Sequence, residues 1–460
     1  MGEEISGCVE FPVRQTSGLK EVIGRCGRRA TPLHDSSNAL LQFPQLMRSG
    51  PIPQTVLKVA SSPAILFLVA LTARLWVLSQ LLPANAWRYF YQYNEPAHIA
   101  WSILSGYGYS SPWANTLVMP TAQQPPIYPY LLAAIFRLAG TYSYRSLWIA
   151  VGLNAIFSAL TAIVILKIGR RVFGASTGVL AAWIWSCWIY EAVVSIRLWE
   201  SSLSALLLAI GLLLLPNVAS SIRPSFWLGF GALAGVAALT NTTLLSVSSF
   251  FCLWLWITCR RRNLRCSRCL AASVVVCLLV LSPWTIRNYA TFRRVLPVRD
   301  NLGLELWLGN HEGVTHVFDK DFPILDPTEY NRLGEIRFME AKRDSALDFI
   351  RQHSGEFARL SAGRFFRFWM SPEKSAWPAL SLLAWVGMVL ALWRKQWNAV
   401  PYAIVMFVFP FVYYITHVFS TYRHPAEPVI LILAAYAMVT AMTATRTRLL
   451  QRGLRHASSV

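Results

Sequence analysis

Ten apolar runs punctuate this sequence, and they limit what it can fold into before any motif is read. They lie at 58–82, 145–166, 175–191, 199–216, 225–240, 243–259, 268–286, 377–393, 398–418 and 427–445. A helix crossing the hydrocarbon core of a bilayer needs roughly 17 to 25 mainly apolar residues. In hydrocarbon only a helix or a closed barrel satisfies its own backbone. The runs therefore predict an all-α polytopic membrane protein of about ten transmembrane helices. The charge content agrees: 14% of the 460 residues are Asp, Glu, Lys or Arg, against about 25% in soluble domains.

Where the charges fall sets the expected orientation. The net charge is +20, which in a soluble chain would suggest nucleic acid. Here the basic residues cluster beside apolar runs, as at Lys167 to Arg171, Arg223, Arg260 to Arg268, Arg394-Lys395 and Arg446 to Arg455. That is the positive-inside pattern, with anionic membrane lipids as partner and no nucleic acid. These loops all fall on the cytoplasmic side if 125–140 lies in the outer interface; an eleventh span there is the alternative. The expected organisation is a mostly disordered cytoplasmic lead at 1–56, a transmembrane core at 57–286 with a first outer loop at 83–144, a large outer loop at 287–376, C-terminal transmembrane helices at 377–445, and a basic cytoplasmic tail at 446–460. Within the large loop, Leu333, Ile336, Met339, Ala346, Phe349, Ile350, Phe357 and Leu360 recur at helical spacing.

The cysteines avoid both long polar loops, so exported disulfides are not expected. Cys266 and Cys269 have CxxC spacing, but no His stands near to complete a zinc site. Asn310-His311-Glu312 and His316 offer too few and too irregular ligands, so no metal or other cofactor is expected.

The chemistry-bearing residues sit at the ends of the runs. Glu95, in Tyr93-Asn94-Glu95-Pro96-Ala97-His98, is the one acid between Arg74 and Glu191. A single carboxylate at the membrane surface, raised toward neutrality by partial burial, is a candidate general base. The sequence continues through Ile99 to Pro112, with a short amphipathic turn ended by Gly106, and then Pro120-Thr-Ala-Gln-Gln-Pro-Pro126 opens the 125–140 segment.

The acid after the first run, followed by HIAWSILSGYGYSSP and PTAQQPPIYPYLLAAIFRLAG, resembles the first outer loop of the GT-C superfamily. These are membrane glycosyltransferases that use polyprenyl-phosphate sugars, among them protein O-mannosyltransferases, aminoarabinose transferases and the RgtA/B/C/D-like family. Three later segments carry the same resemblance: Ser195 to Glu200, Pro283 to Tyr289 with Asn301 to Asn310, and Tyr422 to Pro428. Two departures stand out. Many relatives have an acid where this chain has Asn94, and some have Lys where it has Gln124.

The resemblance implies an inverting hexosyl or pentosyl transferase, with a polyprenyl-phosphate sugar as donor and a lipid, glycan or protein of the cell envelope as acceptor. It places the protein in a bacterial inner membrane, with the site periplasmic and both termini cytoplasmic. Glu95 takes the base role. Arg423 and Arg287 are the phosphate candidates, because a guanidinium fork matches phosphate oxygens. His98, Glu200 and Gln124 complete the expected binding residues. Two other readings remain: a transporter or flippase of lipid-linked sugars, and an inactive relative. Crossings nearly free of charge weigh against transport, whereas Asn94 keeps inactivity open.

Overall fold

The computed structural model of the chain describes residues 58–81, 89–92, 94–113, 116–315, 327–371 and 377–457. The lead at 1–56, Tyr93 and His316 lie outside them. Apart from the single turn Tyr89–Gln92, the helices before the large loop are α1 (Pro63–Leu81), α2 (Glu95–Leu104), α3 (Ile127–Ala139), α4 (Tyr144–Val172), α5 (Ala175–Cys187), α6 (Ile189–Ser195), α7 (Ser201–Ser220), α8 (Pro224–Thr240), α9 (Thr243–Arg261) and α10 (Ser267–Phe292). The large loop contributes α11 (Leu302–Gly309), α12 (Pro327–Leu333), α13 (Glu335–Gln352) and α14 (Ser354–Met370). Last come α15 (Trp377–Trp393), α16 (Val400–Ile415) and α17 (Glu427–Ala457). Among the described residues there is no strand, only an isolated bridge between Ser110 and Pro120.

Seven stretches are long and apolar enough to cross a membrane: α1, α4, α7, α9, α10, and the regions containing α16 and α17. The pair α5 and α6, bent by 66° at its break, is long and apolar enough to make an eighth if counted as one span. α8 and α15, at 17 residues each, reach about 25 Å at 1.5 Å per residue, near the roughly 30 Å hydrocarbon thickness. With these two shorter helices the described residues offer up to ten candidate crossings.

One end is basic. Arg170 donates to the Ser61 carbonyl at 2.8 Å, Arg171 to Asn217 Oδ1 at 2.6 Å, Arg262 to the Ala219 carbonyl at 3.2 Å and Arg394 to the Tyr436 hydroxyl at 3.0 Å. The Arg261 guanidinium lies 3.6 Å from the Trp397 ring centroid. These contacts tie the turns after α4, α7, α9 and α15 to α1 and α17, so the arginine-rich turns share one end.

α3 does not cross. Just before it, Gln124 binds Glu95 at the start of α2. Just after it, beyond Gly140 (φ +94°), the Tyr142 hydroxyl meets His98 Nδ1 of α2 at 3.1 Å. Both ends of a 13-residue helix thus lie beside one 10-residue helix.

In lipid, helices gain little by hiding apolar surface from each other, and small residues let backbones pack closely instead. A Cβ on Gly169 of α4 would stand 2.3 Å from Gly178 Cα of α5, and one on Gly231 of α8 would stand 2.1 Å from the Ser273 carbonyl oxygen of α10. Outward faces stay apolar, as at Leu278, Leu279 and Ile286 of α10.

The periodic stretch of the large loop resolves into three helices, with a break at Gly334 (φ +73°) and another at His353. Met339, Ala346, Phe349 and Leu360 of that stretch are buried. Arg364 fastens α14 to α11 and α16, donating to the Gly309 carbonyl and, at 3.2 Å, to the Tyr414 carbonyl. Burial pulls its pKa down to about 10.

Candidate active site

The site begins with a helix cap. Asn94 has extended backbone (φ −103°, ψ 96°), and its Oδ1 accepts the Ala97 N–H at 2.9 Å, as an N-cap requires. Its amide donates to the Leu198 carbonyl at 2.7 Å. Asn94 therefore ties the start of α2 to the turn before α7, and the acid that follows it is fixed in place.

Glu95 receives three side-chain donors. Oε1 accepts the Trp113 indole N–H at 3.0 Å and the Gln123 amide at 2.9 Å, and Oε2 accepts the Gln124 amide. A carboxylate has about four acceptor positions, so the open one is on Oε2. Burial pushes the Glu95 pKa up, and the charge of Glu305 adds to this; Trp113, Gln124 and Arg299 pull the other way.

The two glutamines reach Glu95 because the strut 121–124 is held along its backbone. Arg287 donates to the Thr121 carbonyl at 2.7 Å, and Glu335 accepts the Ala122 N–H. The Asp300 N–H donates to the Ala122 carbonyl at 3.0 Å, and Arg299 Nε to the Gln123 carbonyl at 3.0 Å. The Tyr109 hydroxyl donates to the Gln124 carbonyl at 2.8 Å. The following Pro125 disfavours helix at Gln124, which suits an extended strut.

Opposite the strut, Arg299 Nη2 lies 3.3 Å from Glu305 Oε1, and the Asn301 amide binds the same carboxylate. His417 Nδ1 lies 3.3 Å from Glu305 Oε2, while its Nε2 is 3.1 Å from the Tyr422 hydroxyl. Glu200, the residue before α7, feels the charges of Arg299 and Glu95, and burial pushes its pKa up to about 7. Tyr422 lies within reach of the charges of Glu305, Arg299 and Glu95. Two acids, a guanidinium paired with a third acid, and a phenol thus share one neighbourhood.

Of the residues expected from sequence, Glu95, Gln124 and Glu200 come together here. His98 bonds Tyr142 instead. Arg287 is a clamp: besides Thr121 it donates to the Tyr109 carbonyl at 2.7 Å. Arg423 is not brought to Glu95. It is fully buried, faces Glu427, and donates to the carbonyls of Phe368 and Trp369 at 3.1 and 3.2 Å and to Ser381 Oγ at 2.8 Å. Nearby, His424 Nδ1 lies 2.6 Å from Glu191 Oε2. Arg74 donates to the carbonyls of Trp185 and Ser186, each at 2.9 Å, at the bend between α5 and α6. The crossings are therefore less free of charge than the sequence suggested, because Arg74, Glu191, Arg423, His424 and Glu427 are all buried.

Trp113, Gln123, Arg299, Glu305 and Glu335 were not singled out from sequence. Arg299 had a signal, since it lies between the two segments that resemble the entry to the large loop. Glu335 had none: it opens an amphipathic helix and resembles any first-turn acid. Among the described residues no three His, Cys, Asp or Glu side chains gather as a metal site would require.

Residues 123–286, about a third of the chain, match the family described as dolichyl-phosphate-mannose-protein mannosyltransferase. No curated protein matches. Among solved structures, the oligosaccharyltransferase of Archaeoglobus fulgidus in complex with zinc and sulfate is 12% identical with a TM-score of 0.52, over 86% of this chain and 51% of that one. ArnT from Cupriavidus metallidurans bound to undecaprenyl phosphate is 16% identical with a TM-score of 0.48, over 81% of this chain and 59% of that one. The chain thus spans little more than half the length of these proteins. The likeness to the oligosaccharyltransferase shows a shared fold.

Proposed function

We propose, taking as premise that this chain is a GT-C superfamily membrane glycosyltransferase, that it moves a sugar from a polyprenyl-phosphate donor to a hydroxyl-bearing envelope acceptor at the end of the bundle opposite the arginine-rich turns. The observation that carries this reading is Glu95: a half-buried carboxylate with three N–H donors, one open acceptor position, and Arg299 and Glu200 close by. The description of the matched family names a dolichyl-phosphate sugar, which favours a lipid monophosphate as the leaving group.

The step balances as follows. The acceptor oxygen attacks the anomeric carbon from the face opposite the phosphate, so configuration inverts. The bond from that carbon to the phosphate oxygen breaks, and the lipid phosphate leaves with the electron pair. Glu95 Oε2 takes the acceptor's proton. Arg299 stabilises the growing phosphate charge, as a preorganised cation in a partly dry site does. The phosphate role expected of Arg423 passes to Arg299, because Arg423 is fully buried and paired with Glu427, and it is not brought to Glu95. Glu200 orients the acceptor.

The test is to incubate membranes carrying the protein with a panel of polyprenyl-phosphate sugars, and then to repeat it with Glu95→Gln. The variant should lose at least a hundredfold in rate, the usual scale of general-base removal, with expression unchanged. Transfer at the wild-type rate would remove the base assignment.

A second reading, passage of a lipid-linked sugar, draws on the buried charges of α1, α6 and α17, since ionisable groups inside a crossing often mark a pathway. Their pairing favours support of the α5–α6 bend instead: Arg423 faces Glu427, Glu191 faces His424, and Arg74 caps carbonyls at the break. Movement of substrate across sealed vesicles without glycosidic bond formation would favour transport.

A further inference from the structure

We propose that Glu335 is a positioning residue for Glu95: one carboxylate in the second outer segment sets all three side-chain donors that Glu95 receives. This rests on the reading of Glu95 as the base. Glu335 is buried at the start of α13, far in sequence from the first outer loop, and its two oxygens serve two different routes to the same acid.

The first route runs through the strut. Glu335 Oε1 accepts the Ala122 N–H. Ala122 immediately precedes Gln123 and Gln124, whose amides end on Glu95 Oε1 and Oε2. Arg287, Asp300, Arg299 and the Tyr109 hydroxyl grip carbonyls of this stretch, while the Thr121 N–H bonds the Tyr109 carbonyl at 3.1 Å and the Gln123 N–H bonds Thr121 Oγ1 at 3.0 Å. Glu335 is the carboxylate that takes the remaining N–H between them, so with Arg287 it holds both ends of the 121–122 peptide from outside the first outer loop.

The second route runs through aromatic rings. Glu335 Oε2 accepts the Tyr330 hydroxyl at 3.0 Å. The Tyr330 ring meets the Trp113 ring edge-on, with centroids 4.8 Å apart and planes at 74°. Phe338, one turn along α13, closes the group at 5.3 Å from Tyr330 and 6.3 Å from Trp113. Trp113 then donates its indole N–H to Glu95 Oε1 at 3.0 Å. An edge-to-face pair holds a ring at a defined angle, and that angle aims the indole N–H. The two routes converge on Glu95, the first reaching both carboxylate oxygens and the second Oε1.

Two effects of removing Glu335 have opposite signs. Donors to a carboxylate favour its ionised form. If Glu335 positions those donors, its loss raises the pH at which Glu95 ionises. If Glu335 acts only as a nearby negative charge, its loss lowers that pH. The direction of the shift therefore separates a positioning role from a purely electrostatic one.

The experiment uses the full chain in liposomes. Dicyclohexylcarbodiimide reacts with protonated carboxyls in apolar surroundings, and mass spectrometry of the peptide containing Glu95 follows its modification from pH 4 to 9. Glu335→Ala should move the midpoint of Glu95 modification upward by about one pH unit, a tenfold change in proton affinity. Tyr330→Phe, which keeps the ring and removes one route, should move it upward by less. Glu335→Gln should restore the wild-type midpoint, because its amide oxygen still accepts from Ala122 and its NH2 group still bonds the Tyr330 oxygen. If Glu335→Ala does not fold, as judged by melting in detergent, Tyr330→Phe carries the test. A midpoint that stays put or falls in folded Glu335→Ala, or in Tyr330→Phe, overturns the proposal. The outcome is independent of substrate. If Glu95→Gln proves fully active while the midpoint shifts as stated, the catalytic reading fails and the positioning stands. If Glu95→Gln is inactive while the midpoint is unmoved, the reverse holds.

Discussion

Asn94 and Glu95 are neighbours in sequence with separate tasks. Asn94 uses both halves of its amide: the oxygen caps α2 and the nitrogen reaches the Leu198 carbonyl. A carboxylate could take over the cap but has no hydrogen for that carbonyl. Asn94→Asp should therefore cost about 1 to 3 kcal/mol, the penalty for an unmet buried partner, and should not raise transfer. Thermal melting and the sugar-transfer assay check both, and a gain in activity would return the base role to position 94. Ionisation supplies another expectation. Burial pushes the Glu95 pKa up from 4.5, so on the proposed base role the acid limb of log kcat/KM should lie above pH 4.5 and vanish with Glu95→Gln. For Glu335, burial raises the pKa from 4.5 to about 7. Between those values the folded chain holds a proton that the unfolded chain has released, so stability falls as pH rises through the window. Glu335→Gln should flatten that fall in Tm between pH 5 and 7. Glu95 could be singled out from sequence because it is the one acid between Arg74 and Glu191; Arg299 and Glu335 could not, because they act on backbone atoms far along the chain.

At the level of elements, the crossings were legible because a bilayer demands long apolar helices and offers little else. The limits of that signal appear at α8 and α15, apolar helices of only 17 residues, and at the α5–α6 bend, where one apolar run becomes two helices. The bend depends on Arg74 meeting carbonyls exposed at the break, a tertiary contact that no window of hydropathy contains. Helix pairing was equally hidden. Gly229 and Gly231 look alike in sequence, but a Cβ on Gly229 meets nothing within 4 Å while one on Gly231 strikes α10. Gly231→Ala should destabilise by about 1 to 3 kcal/mol through overpacking. Gly229→Ala should be neutral or stabilising by up to about 1 kcal/mol through helix propensity. Melting of the two variants in one detergent checks the contrast, and equal effects would count against the α8–α10 contact.

For the whole molecule, the governing feature is its polarity. Basic turns gather at one end, and the Glu95 neighbourhood occupies the other. Single cysteines placed at the exposed positions of Arg197 and Arg265, in a background without native cysteines, should react with a membrane-impermeant maleimide from opposite faces of oriented vesicles. Labelling from one face alone would dismantle the arrangement. The strut has a further implication for how the protein comes into being. Ala122 and the carboxylate that grips it are 213 positions apart. During synthesis, Glu95 is inserted long before the ribosome reaches residue 335. A nascent chain thus holds Glu95 for a time without the carboxylate that grips its strut, and the arrangement around Glu95 is completed late, after most of the bundle has been made.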